Sequence, residues 1–217
     1  NSALAEAARG IRTNLIFMSP DQPHRRSLVT TAAPAEGKTT VPSAIALAMA
    51  MAAQRVLLID CDLRRPRLHK VYRRTNAVGV TSVTLDLGML DRESLSTKVP
   101  NLDLLPSGPT VPNPAEFLQS EAFATLLAEL GRRYDRIVID SPPSLVVSDS
   151  AILSTQVDGA VFVVRASKTQ REMARKAVRS ITDVSGKLVG VVLNAFDFRR
   201  PGYGGYYYYQ SHYSSDE

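Results

Sequence analysis

The nonapeptide AAPAEGKTT (residues 32–40) places a lysine and two threonines directly after a glycine. Gly37-Lys38-Thr39 closes the phosphate-binding pattern G-x-x-x-x-G-K-[ST], with Ala32 where the first glycine would stand. In such a loop the backbone N–H groups of Ala35, Glu36, Gly37, Lys38, Thr39 and Thr40 wrap phosphate oxygens at a helix N-terminus. Lys38 supplies a point charge to the β- and γ-phosphates, and the Thr39 hydroxyl suits Mg²⁺. Two residues depart from the expected chemistry. Ala35 sits where a glycine would take up an unusual backbone freely, and a left-handed conformation there costs roughly 1–2 kcal/mol. Pro42 falls early in the following helix, where a proline can kink it.

A nucleotide loop needs carboxylates for its metal. Asp140 ends the apolar run RIVID (136–140), the position of the metal-holding aspartate in P-loop proteins. Asp60 and Asp62 end the run VLLIDCD (56–62) at i and i+2, so both side chains point to one side of the strand's end. Crowded carboxylates require a cation or basic neighbours. Arg64 and Arg65 follow at once, so plain ion pairing is one reading. Beside a Mg-nucleotide, one carboxylate would position a metal water and the other accept a hydroxyl proton.

The elements that position these residues alternate in type. A helix is expected over 2–17, a strand over 27–33, and an Ala-rich helix reaching about residue 53. Strands are expected over 55–62, 102–108, 136–143, 160–166 and 187–196. Apolar residues at helical spacing mark 114–134, and a charged amphipathic helix fills 168–185. Strands alternating with helices imply an α/β fold with a mostly parallel sheet flanked by helices. After Phe198 no apolar period survives. Residues 199–217 therefore read as a flexible tail, and six of the chain's eight tyrosines lie in its last 15 residues.

Composition narrows the class. The chain has 217 residues, 44% of them hydrophobic, which suits one domain with a real core. One cysteine excludes an internal disulfide framework, and there is neither a signal-peptide pattern nor a long apolar run, which together fit the cytoplasm. The net charge of +5 is concentrated in arginine-rich stretches. Solvated helix faces, an anionic membrane surface, nucleic acid and nucleotide phosphates all fit that charge.

Taken together, the phosphate loop, D-x-D-L-R-R-P (60–66) and D-S-P-P (140–143) resemble the bacterial tyrosine kinases (BY-kinases), which govern capsule and exopolysaccharide polymerisation. The resemblance extends through LLPSGPTVPNPAEFLQS (104–120), VDGAVFVVRASKT (157–169) and GVVLN (190–194) to the tyrosine cluster. It implies a P-loop NTPase fold over residues 1–198, with an oligomerisation helix over 1–19. It implies ATP and Mg²⁺ as cofactors and autophosphorylation, in trans, of Tyr203, Tyr206, Tyr207, Tyr208, Tyr209 and Tyr213. By the same resemblance Lys38 stabilises the charge in transfer, the Asp60/Asp62 pair is the base with Asp60 favoured, and Thr39, Asp62 and Asp140 hold the metal. Glu6, Arg9 and Arg12 match the family's E-x-x-R-x-x-R pattern, implied to build a ring-like homo-oligomer. A transmembrane adaptor, fused or separate, and a cognate tyrosine phosphatase are the implied partners, at the inner face of the membrane, with no nucleic acid. This sequence departs at Ala35, where the family has P-G-E-G, and at Pro42.

Two alternatives share the fold. One is a degenerate nucleotide-binding scaffold of the same machinery, supported by Ala35 and Pro42. The other is a ParA/MinD-like ATPase switch, but its signature lysine five residues before Lys38 is here Ala33.

Overall fold

VLLID and RIVID carry apolar side chains on both faces, so each strand needs cover above and below. In the computed structural model, which describes residues 3–18, 24–92 and 95–197, both are interior strands with all five residues buried. The elements in chain order are α1 (Ala3–Phe17), β1 (Arg26–Thr31), α2 (Thr40–Ala50), β2 (Val56–Asp60), α3 (Leu68–Val71), α4 (Val80–Leu85), α5 (Met89–Arg92), β3 (Leu102–Leu105), α6 (Pro114–Gln119), α7 (Glu121–Arg133), β4 (Arg136–Asp140), α8 (Asp149–Ser154), β5 (Gly159–Arg165), α9 (Arg171–Thr182) and β6 (Leu188–Asn194). The six strands form one parallel sheet in the order β3-β2-β4-β1-β5-β6.

The two-residue period of each strand divides the core in two. Val29, Leu58, Val138 and Val161 face α1 and α2, packing on Leu15, Ile45 and Met49. Leu57, Ile59, Ile139 and Phe162 face the other way, onto Phe123 and Leu127 of α7 and Ile181 of α9. The sheet is thus sandwiched between helical layers, as the alternating pattern predicts. In register, Asp60 lies opposite Asp140, and Asp140 opposite Val29. The carboxyl ends of β1, β2 and β4 therefore meet, and in open α/β sheets that end is where ligands bind.

The structure refines three expectations. The helix over 114–134 is two helices, because Ser120 turns out to ψ 149° and its Oγ accepts the Phe123 N–H as the cap of α7. Helix α2 ends at Ala50, and Ala53 lies in the left-handed region at φ 58°. Pro42 does not interrupt α2, which runs from Thr40 to Ala50 as one element. It is the third helical residue, in the turn whose N–H groups lack obligatory intrahelical partners. The boundary at 198/199 and all six tail tyrosines lie outside the described residues. Among those described, no helix is long and apolar enough to cross a membrane.

Candidate functional site

Between β1 and α2 the chain makes a loop that only unusual backbone angles allow. Gly37 has φ 107°, and Ala35 has φ 64°. The strained alanine is held from outside. The Arg165 guanidinium donates to the Ala35 carbonyl at 2.8 Å, and the Asn194 amide donates to the Glu36 carbonyl at 2.9 Å. The buried Glu36 carboxylate accepts the Ala33 N–H at 2.9 Å and the Thr169 hydroxyl. The loop is thereby tied to the ends of β5 and β6 and to the start of α9. Ala35→Gly should relieve the strain and raise the unfolding free energy by up to about 1 kcal/mol, after the entropic cost of glycine. A denaturant midpoint at or below the wild-type value would contradict this. At Gly37 a Cβ would collide with the Asn194 amide as well as strain the backbone. Gly37→Ala should therefore cost most of the nucleotide affinity, measurable by calorimetric titration with Mg-ADP.

Behind the loop lie three carboxylates and one lysine. Lys38 Nζ reaches Asp62 Oδ2 at 2.7 Å. The Thr39 hydroxyl donates to Asp140 Oδ2 at 3.1 Å, while Asp140 Oδ1 is buried without a hydrogen-bond partner. Asp60 is fully buried and accepts three backbone N–H groups, from Asp62 at 3.2 Å and from Arg67 and Leu68 at 2.9 Å each. Burial pushes the Asp60 carboxyl up to about 6, against those backbone donors and Lys38. Burial, only partly offset by Lys38, pushes the Asp140 carboxyl well above its ordinary value. Burial opposes the charge on Lys38, but Asp140, Asp62 and Asp60 together outweigh it and raise its pKa. Cys61 is buried and its thiol is pushed well up by burial and then by the same carboxylates, so it is a packing residue rather than a nucleophile.

The simple ion-pair reading of Arg64 and Arg65 is corrected. Arg64 turns away to a bidentate pair with buried Asp149 of α8, at 2.9 and 3.0 Å, and Arg65 gives Asp62 only its backbone N–H, at 3.0 Å. Lys38 is the cation that meets Asp62.

A cavity of ≈ 1120 Å³ opens on this cluster. Lys38, Thr39, Asp62, Arg165 and Asn194 line it, and Asp60 and Asp140 lie behind its wall. The cavity continues along α2 to α1. On α1, Glu6 and Arg9 pair with each other, and Arg12 Nη1 donates to the Ala48 carbonyl at 3.1 Å. In this single chain all three residues thus have partners of their own. Arg165, Thr169 and Asn194 were not singled out from the sequence. They fall in the stretches 157–169 and 190–194 that carry the family resemblance, and each stands at or just beyond the carboxyl end of a strand, but nothing local ties them to the loop.

The described residues hold no group of three or more His, Cys, Asp or Glu arranged to bind a metal by themselves. Mg²⁺ keeps several waters and takes phosphate oxygens alongside one or two carboxylates. The unpartnered Asp140 Oδ1 beside the Thr39 hydroxyl fits such an ion.

Comparison with known proteins agrees with the geometry. Residues 35–187 match the model of a family described as an AAA domain. The chain is 38% identical over 203 residues to Tyrosine-protein kinase YwqD of Bacillus subtilis, covering 94% of this chain and 86% of that protein. It is 36% identical over 213 residues to Tyrosine-protein kinase wzc of Salmonella typhimurium, covering 97% of this chain but 29% of that much longer one. The crystal structure of the chimerical protein CapA2B2 superposes with a TM-score of 0.86 at 35% identity, over 90% of this chain and 86% of that one.

Proposed function

Because this chain belongs to the family of bacterial tyrosine-protein kinases, we propose that it transfers the γ-phosphoryl group of Mg-ATP to its own C-terminal cluster. The acceptors are Tyr203, Tyr206, Tyr207, Tyr208, Tyr209 and Tyr213, presented by a neighbouring copy. The observation that carries this reading is the contact of Lys38 and Thr39, which line one cavity, with Asp62 on its wall and Asp140 behind it.

Nucleotide entry exchanges partners. The loop amides of residues 35–40 cradle the phosphates, and Lys38 turns from Asp62 to the β- and γ-phosphates. Thr39, Asp140 and Asp62 would hold Mg²⁺, which when bound neutralises phosphate charge. A phenol has a pKa of about 10 and attacks poorly until its proton is taken. The Asp60/Asp62 pair takes it. The phenolate oxygen then bonds to the γ-phosphorus, the bond from that phosphorus to the bridging oxygen breaks, and ADP leaves. Lys38 stays on the charge that builds during transfer. Asp62 lines the cavity and Asp60 does not, so Asp62 presents the accepting oxygen while Asp60 holds the loop beneath it.

The pH dependence follows. Activity should rise with pH through an acid limb near 6, the value to which burial raises the Asp60 carboxyl behind the accepting Asp62. A profile flat between about pH 5 and 7 would remove Asp60 from the proton transfer.

Assembly as a ring through Glu6, Arg9 and Arg12, a transmembrane adaptor at the inner membrane face, a cognate phosphatase and control of exopolysaccharide export belong to the same proposal. The length of the Salmonella relative, of which this region is 29%, supports a further segment there, fused in that protein. A mixing experiment tests transfer between copies. A Lys38→Met chain with intact tyrosines is incubated with a chain whose six tail tyrosines are Phe. Phosphate on the Lys38→Met chain is expected. Its absence, when wild-type protein modifies itself, would make the reaction intramolecular.

A further inference from the structure

Residues 165–179 carry six arginines or lysines and one acid, Glu172. Arg165 braces the phosphate loop. On α9, Arg171, Arg175 and Arg179 follow one another at i, i+4 and i+8, so they form a single row along the helix. All three are exposed, as is Lys176 beside them, and none of the four side chains has a hydrogen-bond or ion-pair partner among the described residues. Such a row opposes the helix it stands on. Like charges one turn apart repel, and Arg171 sets a cation in the first turn, at the positive end of the helix dipole. The nucleotide does not account for the row, because no residue of α9 lines the cavity.

The row has apolar neighbours. Val191 and Leu193 of β6 pair in register with Phe162 and Val164 of β5, and so lie on the face of the sheet that Ala177 and Ile181 of α9 cover. β6 is the outermost strand, and among the described residues the cover ends there: Val191 is 57% and Leu193 53% exposed. Val184, in the turn after α9, is 43% exposed. Cations and aliphatic side chains are thus presented together on one side of the sheet, away from α1 and α2. No aromatic residue occurs between Phe162 and Phe196.

We propose that this side of the domain rests on an anionic lipid surface. Arg171, Arg175, Lys176 and Arg179 meet headgroup phosphates, and Val184, Val191 and Leu193 enter the boundary between headgroups and acyl chains. Each feature fits that partner. Arginine forks match phosphate oxygens in pairs. A leaflet with anionic lipid attracts clustered cations, and aliphatic side chains beside them add buried apolar area. A nucleic acid would use the cations but give the aliphatic side chains nothing to bury against, and the aromatic residues on which single strands stack are missing here. Four cations and three aliphatic side chains make a weak contact by themselves, so it acts beside a second anchor and sets which side of the domain faces the bilayer. The contact is independent of phosphoryl transfer, since it uses no residue of the nucleotide cavity.

Co-sedimentation of the full chain with vesicles tests this. Phosphatidylcholine vesicles with a minority of phosphatidylglycerol are compared with phosphatidylcholine alone, for wild type and for R175E/R179E, R175K/R179K and V191T/L193T. Wild type should partition onto the anionic vesicles on the order of tenfold more strongly than onto the neutral ones, and added salt should weaken that preference. R175E/R179E should lose the preference and R175K/R179K should keep it, while V191T/L193T should weaken anionic binding about threefold. The affinity for Mg-ADP should stay at the wild-type value in every variant, which also reports that each is folded. Equal partition of wild type onto the two kinds of vesicle overturns the proposal without recourse to any variant. Anionic binding unchanged in R175E/R179E or in V191T/L193T overturns it as well. Fluorescence anisotropy with a single-stranded oligonucleotide forms the last arm. Oligonucleotide binding lost in R175E/R179E, with vesicle binding unchanged, would assign the row to nucleic acid and overturn the proposal.

Discussion

Lys38→Met is expected to remove the phosphotyrosine that the wild-type chain acquires from Mg-ATP, a fall of about 10³-fold or more in rate. Methionine keeps the apolar stem and deletes the charge. Two losses combine. The β- and γ-phosphates lose their cation at the moment negative charge builds, and Asp62, almost fully buried, loses its partner at 2.7 Å. The second loss also bears on folding. Asp60, Asp62 and Asp140 would stand together without a nearby lysine, and breaking a buried pair by removing one partner costs about 3–5 kcal/mol at most. The variant should therefore be both inactive and less stable. Circular dichroism at the assay temperature separates the two effects, because folded Lys38→Met with wild-type phosphotyrosine would contradict the assignment.

Asp140→Asn should move stability and activity in opposite directions. Asp140 is fully buried, one of its oxygens has no partner, and its pKa is raised far above that of an unfolded aspartate. For a group with a raised folded pKa, the contribution to stability is present below the unfolded pKa and is lost as pH rises through the folded one. At neutral pH the unfolded aspartate is ionised while the fold disfavours that form, and asparagine removes the penalty. The metal-free variant should melt higher than wild type at pH 7, and the gain should shrink as pH falls and vanish only near the unfolded aspartate value of about 4, where the unfolded chain is protonated as well. Activity should fall by about 10²-fold or more, since an amide is a poor ligand for Mg²⁺ beside the Thr39 hydroxyl. A variant that melts lower, or that keeps its activity, would show that Asp140 serves packing and not the metal.

The parts of this site that run along one segment were legible in the sequence. A buried strand entering Gly37-Lys38-Thr39, and two more ending in Asp60 and Asp140, follow from apolar runs and their punctuation. The strained alanine was legible too, because only the loop pattern is needed to see that residue 35 wants a glycine. What holds that alanine was not. Arg165, Thr169 and Asn194 lie 130 or more residues from the loop they brace, and no local period connects them. The same distance hid Asp149, 85 residues from Arg64, and left Arg64 assigned to the nearest carboxylates. The short helices α3, α4, α5 and α8 have four to six residues each, too short for a helical period to declare itself. Ser120 looked like an ordinary helical residue until its cap on α7 divided the helix. Of the two shared-fold alternatives, the partition-type switch lacks its lysine at Ala33, and the relatives at 36–38% identity are named as tyrosine kinases.

Intact-mass spectrometry of the full chain after incubation with Mg-ATP, with and without a candidate adaptor fragment, tests the central claim most directly. The account predicts a ladder of phosphate additions that maps to Tyr203–Tyr213 and is lost in Lys38→Met. A chain that binds nucleotide yet gains no phosphate under either condition would contradict it, leaving a nucleotide-binding scaffold in which Ala35 and Pro42 are the residues to revert.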